Sequence, residues 1–159
     1  MEVVLQNRTA EHVRIYWQMT QDEEIQQMLP SAAASLEHAL EMFEESLKPG
    51  ATSFGQVILA DSRYVGDIWC YGIDEADEKM AMLSFCVFEK ALWGKGICTE
   101  AIRKFLPVVF DRYRIEKIGA FTYADNVGSI GALKKAGFAK LEEFTENGRL
   151  SNYLEYHSG

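Results

Sequence analysis

The run Val87-Phe88-Glu89-Lys90-Ala91-Leu92-Trp93-Gly94-Lys95-Gly96-Ile97-Cys98-Thr99-Glu100-Ala101 holds the residue types that point most directly to chemistry. An apolar strand pattern leads into a loop with two glycines, and a helix pattern starts straight after them. Glycine lets the backbone turn sharply and lets a ligand approach main-chain N–H groups. The first-turn amides of a helix lack partners and the dipole is positive there, so the junction suits an anion, typically a pyrophosphate. Three ligand classes compete for it. A mononucleotide P-loop needs G-x-x-x-x-G-K-[ST], which is absent. A dinucleotide loop needs G-x-G-x-x-G within repeated parallel units, and Thr99 stands at the third glycine. Coenzyme A is the third.

Other reactive residues are sparse. Cys70, Cys86 and Cys98 form no C-x-x-C and leave one thiol over in any pairing, so free thiols are expected. Cys86 and Cys98 flank the glycine loop and read as small buried filler rather than nucleophiles. His12, His38 and His157 are far apart, and no metal motif is present.

Elements must position that loop. Glu2 to Gln6 reads as a short strand. Thr9 caps a helix to about Met19, and Ser35 to Leu47 carries Leu36, Ala39, Leu40, Phe43 and Leu47 at helical spacing. Phe54 to Ala60 and Tyr64 to Ile73 form a hairpin across Asp61-Ser62-Arg63. Met80 to Phe88 is apolar nearly throughout, which predicts a strand buried on both faces. The helix after the loop places Ile97, Ala101, Phe105, Val109 and Tyr113 on one side, and Pro107 predicts a kink or an early last turn. Lys117 to Tyr123 is a strand. Asn126 opens a short helix ending at Ala136, with Gly137 as its C′ residue and Phe138 as the hydrophobic partner. Asn147-Gly148 turns the last hairpin, between 139–144 and 150–156. The order β-α-α-β-β-β-α-β-α-β-β predicts a mixed, mostly antiparallel sheet of six or seven strands in an α/β (α+β) three-layer sandwich. Its parallel unit, formed by 80–88, its helix and 117–123, is expected to be right-handed.

Length and charge bound the partners. The 159 residues are 48% hydrophobic and 25% charged, without repeat or linker, which predicts a single domain over 1–159. Apolar stretches reach about nine residues against the roughly 18 of a membrane span. The opening Met-Glu-Val-Val-Leu has no basic region, so a cytoplasmic location is expected. The net charge is −8, which argues against nucleic acid. Residues 1–78 hold 15 acids and 4 bases, whereas 79–159 hold 9 acids and 12 bases. That split suits a cation on one side and an anion on the other.

The loop and the residues after it resemble the GNAT acetyltransferase superfamily. The family pattern Q/R-x-x-G-x-G/A falls on Trp93-Gly94-Lys95-Gly96-Ile97-Cys98, with Gly96 matching, Trp93 in place of Gln/Arg and Cys98 in place of the last small residue. The W-G-K-G form before Thr-Glu-Ala, with Asn126-x-x-Ser129 and Lys135-Ala136-Gly137-Phe138 downstream, resembles the branch containing ribosomal-protein N-terminal acetyltransferases. The likeness covers about 79–157, and residues 1–60 match in element order only.

The resemblance implies acetyl transfer from acetyl-CoA to a primary amine, by direct attack. The amine would belong to a peptide N-terminus or a small cationic molecule. It places the pantetheine arm on the backbone of Cys86, Val87 and Phe88. It places the pyrophosphate on the amides of Gly94, Lys95, Gly96, Ile97, Cys98 and Thr99, with Asn126 bonding the pantetheine. The Val87 or Phe88 amide would hold the oxyanion. The usual Tyr acid falls at Leu133, so Ser129 is the implied thiol-facing donor. The usual Glu base falls at Phe121, which leaves Tyr123, Glu89 and Glu155 as replacements, or a water chain. The acceptor side would be formed by the first helices, acidic through Asp22-Glu23-Glu24 and Glu37, Glu41, Glu44 and Glu45, and by the last hairpin. A homodimer fits the family. The missing Tyr and Glu leave open a protein that binds acetyl-CoA without turnover.

Overall fold

A computed structural model describes residues 1–29 and 33–159. The chain begins with β1 (Val3–Asn7), α1 (Ala10–Met19), α2 (Glu23–Met28) and α3 (Leu36–Ser46). The hairpins β2 (Phe54–Ala60), β3 (Arg63–Asp74) and β4 (Met80–Val87) come next. A 3-10 turn at Lys90–Leu92 precedes α4 (Ile97–Arg112), β5 (Lys117–Tyr123), α5 (Val127–Lys135), β6 (Ala139–Glu146) and β7 (Arg149–His157). The strand-by-strand order agrees with the sequence reading, except that α2 is an additional helix. It is six residues long, too short for a periodic signal, and rests on the Asp22 carboxylate accepting from the Ile25 amide at 3.1 Å.

The seven strands lie in the order β1-β2-β3-β4-β5-β7-β6. Every neighbouring pair is antiparallel except β4 and β5. That parallel pairing lasts only for Met80–Lys117, Ala81–Ile118 and Met82–Gly119. Beyond it the two strands diverge, so the sheet opens into a V whose vertex is Met82 and Gly119.

Both two-residue turns use positive φ, as tight hairpins following the strand twist require. Asp61 and Ser62 stand at 47° and 69°, and Asn147 and Gly148 at 53° and 76°. The core lies between the sheet and α4. Val65, Ile68 and Leu83 meet Ile102, Phe105 and Val109, all essentially inaccessible, and the Phe54 and Phe105 rings stack at 5.9 Å. Pro107 sits inside α4, which continues to Arg112, so of the two expected outcomes, a kink or an early last turn, the early last turn does not occur. β4 also departs from expectation. Ala81, Leu83 and Val87 are buried, but Met82, Ser84, Phe85 and Cys86 are only half-buried, because no strand covers β4 past the vertex. On α3 the predicted apolar stripe has no fully buried member, and Leu47 is exposed.

Candidate active site

The V between β4 and β5 is a cleft of about 440 Å³. One arm is Leu83 to Val87, the other is Ala120 to Thr122, and α5 forms the floor through Asn126, Ser129 and Leu133. Its wide mouth is the glycine loop, with Gly94, Gly96, Ile97, Cys98 and Thr99 in the lining. Gly94 and Gly96 take φ of 78° and 83°, and a Cβ on either would meet nothing within 4 Å. The loop therefore presents open space over its backbone. Gly96 caps α4 without a side-chain bond, so the first-turn amides face that space unclaimed among the described residues. Lys95 stands exposed between the glycines. This surroundings-free, N–H-rich cradle fits a pyrophosphate.

Hydrogen-bond alternation decides what β4 offers. The Phe88 amide donates to the Val65 carbonyl at 2.9 Å. It is therefore not available to an oxyanion, which corrects one half of that expectation. In an antiparallel ladder the next residue back points the other way, so the Val87 amide faces the cleft. Trp93, which departs from the family pattern, donates its indole N–H to the Val87 carbonyl at 2.7 Å. It staples the loop to the strand end. A half-buried indole needs an acceptor, and that was the signal available in the sequence.

Asn126 performs the capping role, accepting from the Ser129 amide at 3.2 Å through its carbonyl oxygen. Its amide nitrogen remains for a ligand. Ser129 lines the same wall. Gly128 and Gly131, one turn apart on α5, line it too and were not singled out in sequence. Their lack of side chains keeps the floor low.

The structure does not bring Tyr123 to the cleft. Its ring lies under the Arg149 guanidinium at 3.6 Å and is outside the lining. Glu89 is paired with Arg63 at 3.0 Å. Asp67, opposite Cys86 in the β3–β4 register, is buried but occupied: Arg8 lies at 3.0 Å and the Tyr64 hydroxyl donates at 2.5 Å. Glu155 is the one nominated carboxylate placed near the vertex, opposite Gly119.

The thiols are inert by environment. Burial pushes Cys86 up to about 12 and Cys98 up to about 11, so neither is a thiolate at neutral pH.

A roof closes the cleft on the side of the first helices. Ile25, Met28 and Leu29 line it, and α2 is tied down at both ends. Lys90 reaches Asp22 at 2.8 Å and Glu24 at 2.9 Å. Arg149 donates to the Gln27 carbonyl at 2.8 Å and pairs with Asp125 at 3.0 Å.

A V-split sheet with an amide cradle at its mouth is the architecture of an acyl-CoA-binding fold, and the comparisons agree. Residues 2–139 match the acetyltransferase (GNAT) domain model, and the chain belongs to that family. A probable N-acetyltransferase of Bacillus subtilis (strain 168), YjcK, is 31% identical over 104 residues, covering 65% of this chain. The match spans 57% of that protein's length. The fold is shared with aminoglycoside acetyltransferase AAC(6')-Ib, solved with coenzyme A, at TM-score 0.81 and 16% identity over 99% of this chain and 95% of that one. Spermidine N-acetyltransferase from Vibrio cholerae, solved with CoA and spermine, gives TM-score 0.81 at 15% identity, covering 98% of this chain and 95% of that one. Among the described residues no helix is long and apolar enough to cross a membrane.

Proposed function

We propose that this protein transfers the acetyl group of acetyl-CoA to the primary amine of a small cationic acceptor. The observation that carries the reading is the continuous cleft from the Gly94–Thr99 amides to the β4–β5 vertex. The amides of Gly94, Lys95, Gly96, Ile97, Cys98 and Thr99 hold the pyrophosphate. The Asn126 amide holds the pantetheine as it runs along the cleft-facing edge of β4. The Cys86 backbone groups face β3 and the Val87 carbonyl is taken by Trp93, so the expected backbone pairing at Cys86, Val87 and Phe88 is not available to it. The Val87 N–H meets the oxyanion of the tetrahedral intermediate. Ser129 supplies a proton donor to the leaving thiolate, where Leu133 has nothing to give.

The acceptor side supports a cation. It carries Glu23 on the roof, beside Asp22 and Glu24 that share Lys90, and Glu142 and Glu155 near the vertex. Phe121, Phe144 and Tyr153 form an aromatic group beside them, with Phe121 at 5.1 Å from Tyr153 and 5.8 Å from Phe144. Carboxylates and ring faces together attract ammonium groups. The fold neighbours are named as aminoglycoside and spermidine acetyltransferases, and those substrates are amines of this kind. A peptide N-terminus, the acceptor of the ribosomal-protein branch, is the finer alternative.

Titration calorimetry with acetyl-CoA, using NAD and ATP as controls, tests the cofactor. Micromolar binding to acetyl-CoA alone is expected, and its absence would sink the reading. A panel of spermidine, an aminoglycoside and a basic peptide then separates the acceptors by product formation. Binding without any product would leave an acetyl-CoA-binding protein of this fold. Ser129→Ala is expected to keep binding and lower turnover.

A further inference from the structure

We propose that Tyr153 takes the proton from the attacking amine at the cleft vertex and passes its own to Glu155, a relay that rests on the acetyltransferase reading above. The placement is unusual. The parallel pairing of β4 and β5 stops at Gly119. A Cβ on Gly119 would lie 2.6 Å from the Tyr153 hydroxyl oxygen and 2.8 Å from its ring. Gly119 is therefore empty of side chain because the phenol occupies that spot. A ligand laid from the glycine loop along β4 runs out of slot at this vertex, beside Leu83 and Ala120. The lining ends at Leu83 and Ala120, one residue short of Met82 and Gly119, so the Tyr153 oxygen over Gly119 stands just beyond the cleft's inner end, next to where the reacting end would stop. The ring packs on Phe121, which is itself part of the cleft wall.

The hydroxyl is already oriented. It donates to Glu155 Oε2 at 2.6 Å, which leaves its lone pairs to accept an N–H. Glu155 Oε1 meets His157 Nε2 at 2.9 Å, and Lys117 Nζ lies 3.7 Å from Oε2. Glu142 on β6 and Glu78 in the turn before β4 add negative charge toward the phenol. Burial raises the Tyr153 hydroxyl above its ordinary value, with Glu155 adding to it, so the phenol keeps its proton at rest. The Glu155 carboxyl is held below its ordinary value, first by that hydroxyl. The pair is thus a charged carboxylate behind a neutral phenol.

The step balances. The amine lone pair forms the N–C bond to the thioester carbonyl, and the C–S bond breaks with its electrons on the CoA sulfur. One N–H proton moves to the Tyr153 oxygen as the Tyr153 proton moves to Glu155. The proton on Glu155 then leaves to solvent, and the thiolate takes a proton from water, directly or through the Ser129 hydroxyl, which is re-protonated by that water as it donates. Tyr153 touches the reacting nitrogen; Glu155 acts through it and is the positioning residue.

The test uses the purified enzyme with acetyl-CoA and an amine that the wild type acetylates. Tyr153→Phe is expected to lower kcat about a hundredfold, with the KM for acetyl-CoA and the melting temperature little changed. Glu155→Gln is expected to lower kcat and remove the acidic limb of the kcat–pH profile. Gly119→Ala, which pushes the phenol off the vertex without deleting a polar group, is expected to reproduce the Tyr153→Phe loss in part. Wild-type kcat in Tyr153→Phe overturns the relay and leaves the function reading standing. A kcat loss matched by equal loss of acetyl-CoA binding or of thermal stability also overturns it, since that is a packing role. If the wild type binds acetyl-CoA and acetylates no amine, the function reading fails, and the relay fails with it.

Discussion

Gly96 shows how one residue carries both shape and chemistry. Its φ of 83° suits glycine, and a side chain there costs about 1 kcal/mol in backbone strain alone. Gly96→Ala is expected to lower stability by about that amount and to weaken acetyl-CoA binding further, since the methyl would stand in the open cradle. Calorimetry alongside thermal melting separates the two effects. The cysteines give a second residue-scale expectation. With Cys70 and Cys86 pushed up to about 12 and Cys98 to about 11, alkylation by iodoacetamide at pH 8 should be on the order of a hundredfold slower than for free cysteine. Fast labelling with loss of activity would contradict the filler role. Saturating acetyl-CoA should slow Cys86 and Cys98 further and leave Cys70 unaffected, because only the first two line the cleft. What was legible at this scale was local. The glycine loop, the Asn126 cap and Gly137 announce themselves through backbone chemistry within a few residues. The Trp93–Val87 staple is nearly as local, yet it needs the 3-10 turn between them to be known. Tyr153 over Gly119 was invisible because it depends on how β5 and β7 register.

The α5 helix displays a conflict between stability and binding. Glycine inside a helix costs up to about 1 kcal/mol relative to alanine. Gly131 has nothing within 4 Å of a would-be Cβ, so Gly131→Ala should stabilise the apoprotein by up to that amount. The same methyl would rise into the cleft floor, so acetyl-CoA affinity is expected to fall. A variant both more stable and equally tight would show that the floor has slack. The roof helix α2 behaves differently. Its ties through Lys90 and Arg149 are exposed, so each contributes under about 1 kcal/mol to global stability. Replacing both by alanine should leave the melting temperature nearly unchanged while speeding amide exchange in Glu23–Met28. Added salt should act in the same direction on the wild type. Sequence reading passed over α2 because six acidic and amide-rich residues offer no periodic stripe. It over-read β4 for the converse reason. An apolar run looks the same whether a strand or a ligand covers it.

The hairpins and the β4–α4–β5 crossover were legible from turn chemistry and helix period, and together they determine most of the sheet. The insertion of β7 between β5 and β6 was not, because either strand of a hairpin can be the inner one. Its burial decides: Ser151, Asn152 and Leu154 on β7 are inaccessible, whereas β6 is exposed almost throughout. The short β4–β5 junction has a consequence for how the molecule comes apart. Two antiparallel half-sheets, the meander β1–β4 and the group β5–β7–β6, share only three paired positions. Opening them requires little backbone exchange at the seam, so α4 and its core carry the cohesion. A ligand bridging both arms of the V then takes the place of the missing ladder. Its occupancy is linked to folding: at a hundred times its Kd it adds about 2.7 kcal/mol, which is roughly 5–10 °C in melting temperature for a chain of this size. Native-state hydrogen exchange should show the two half-sheets as separate opening units without ligand, merging into one when acetyl-CoA spans the seam. On the function proposed above, the metabolite is also a structural splice, and the frequency with which the seam opens becomes a readout of its supply.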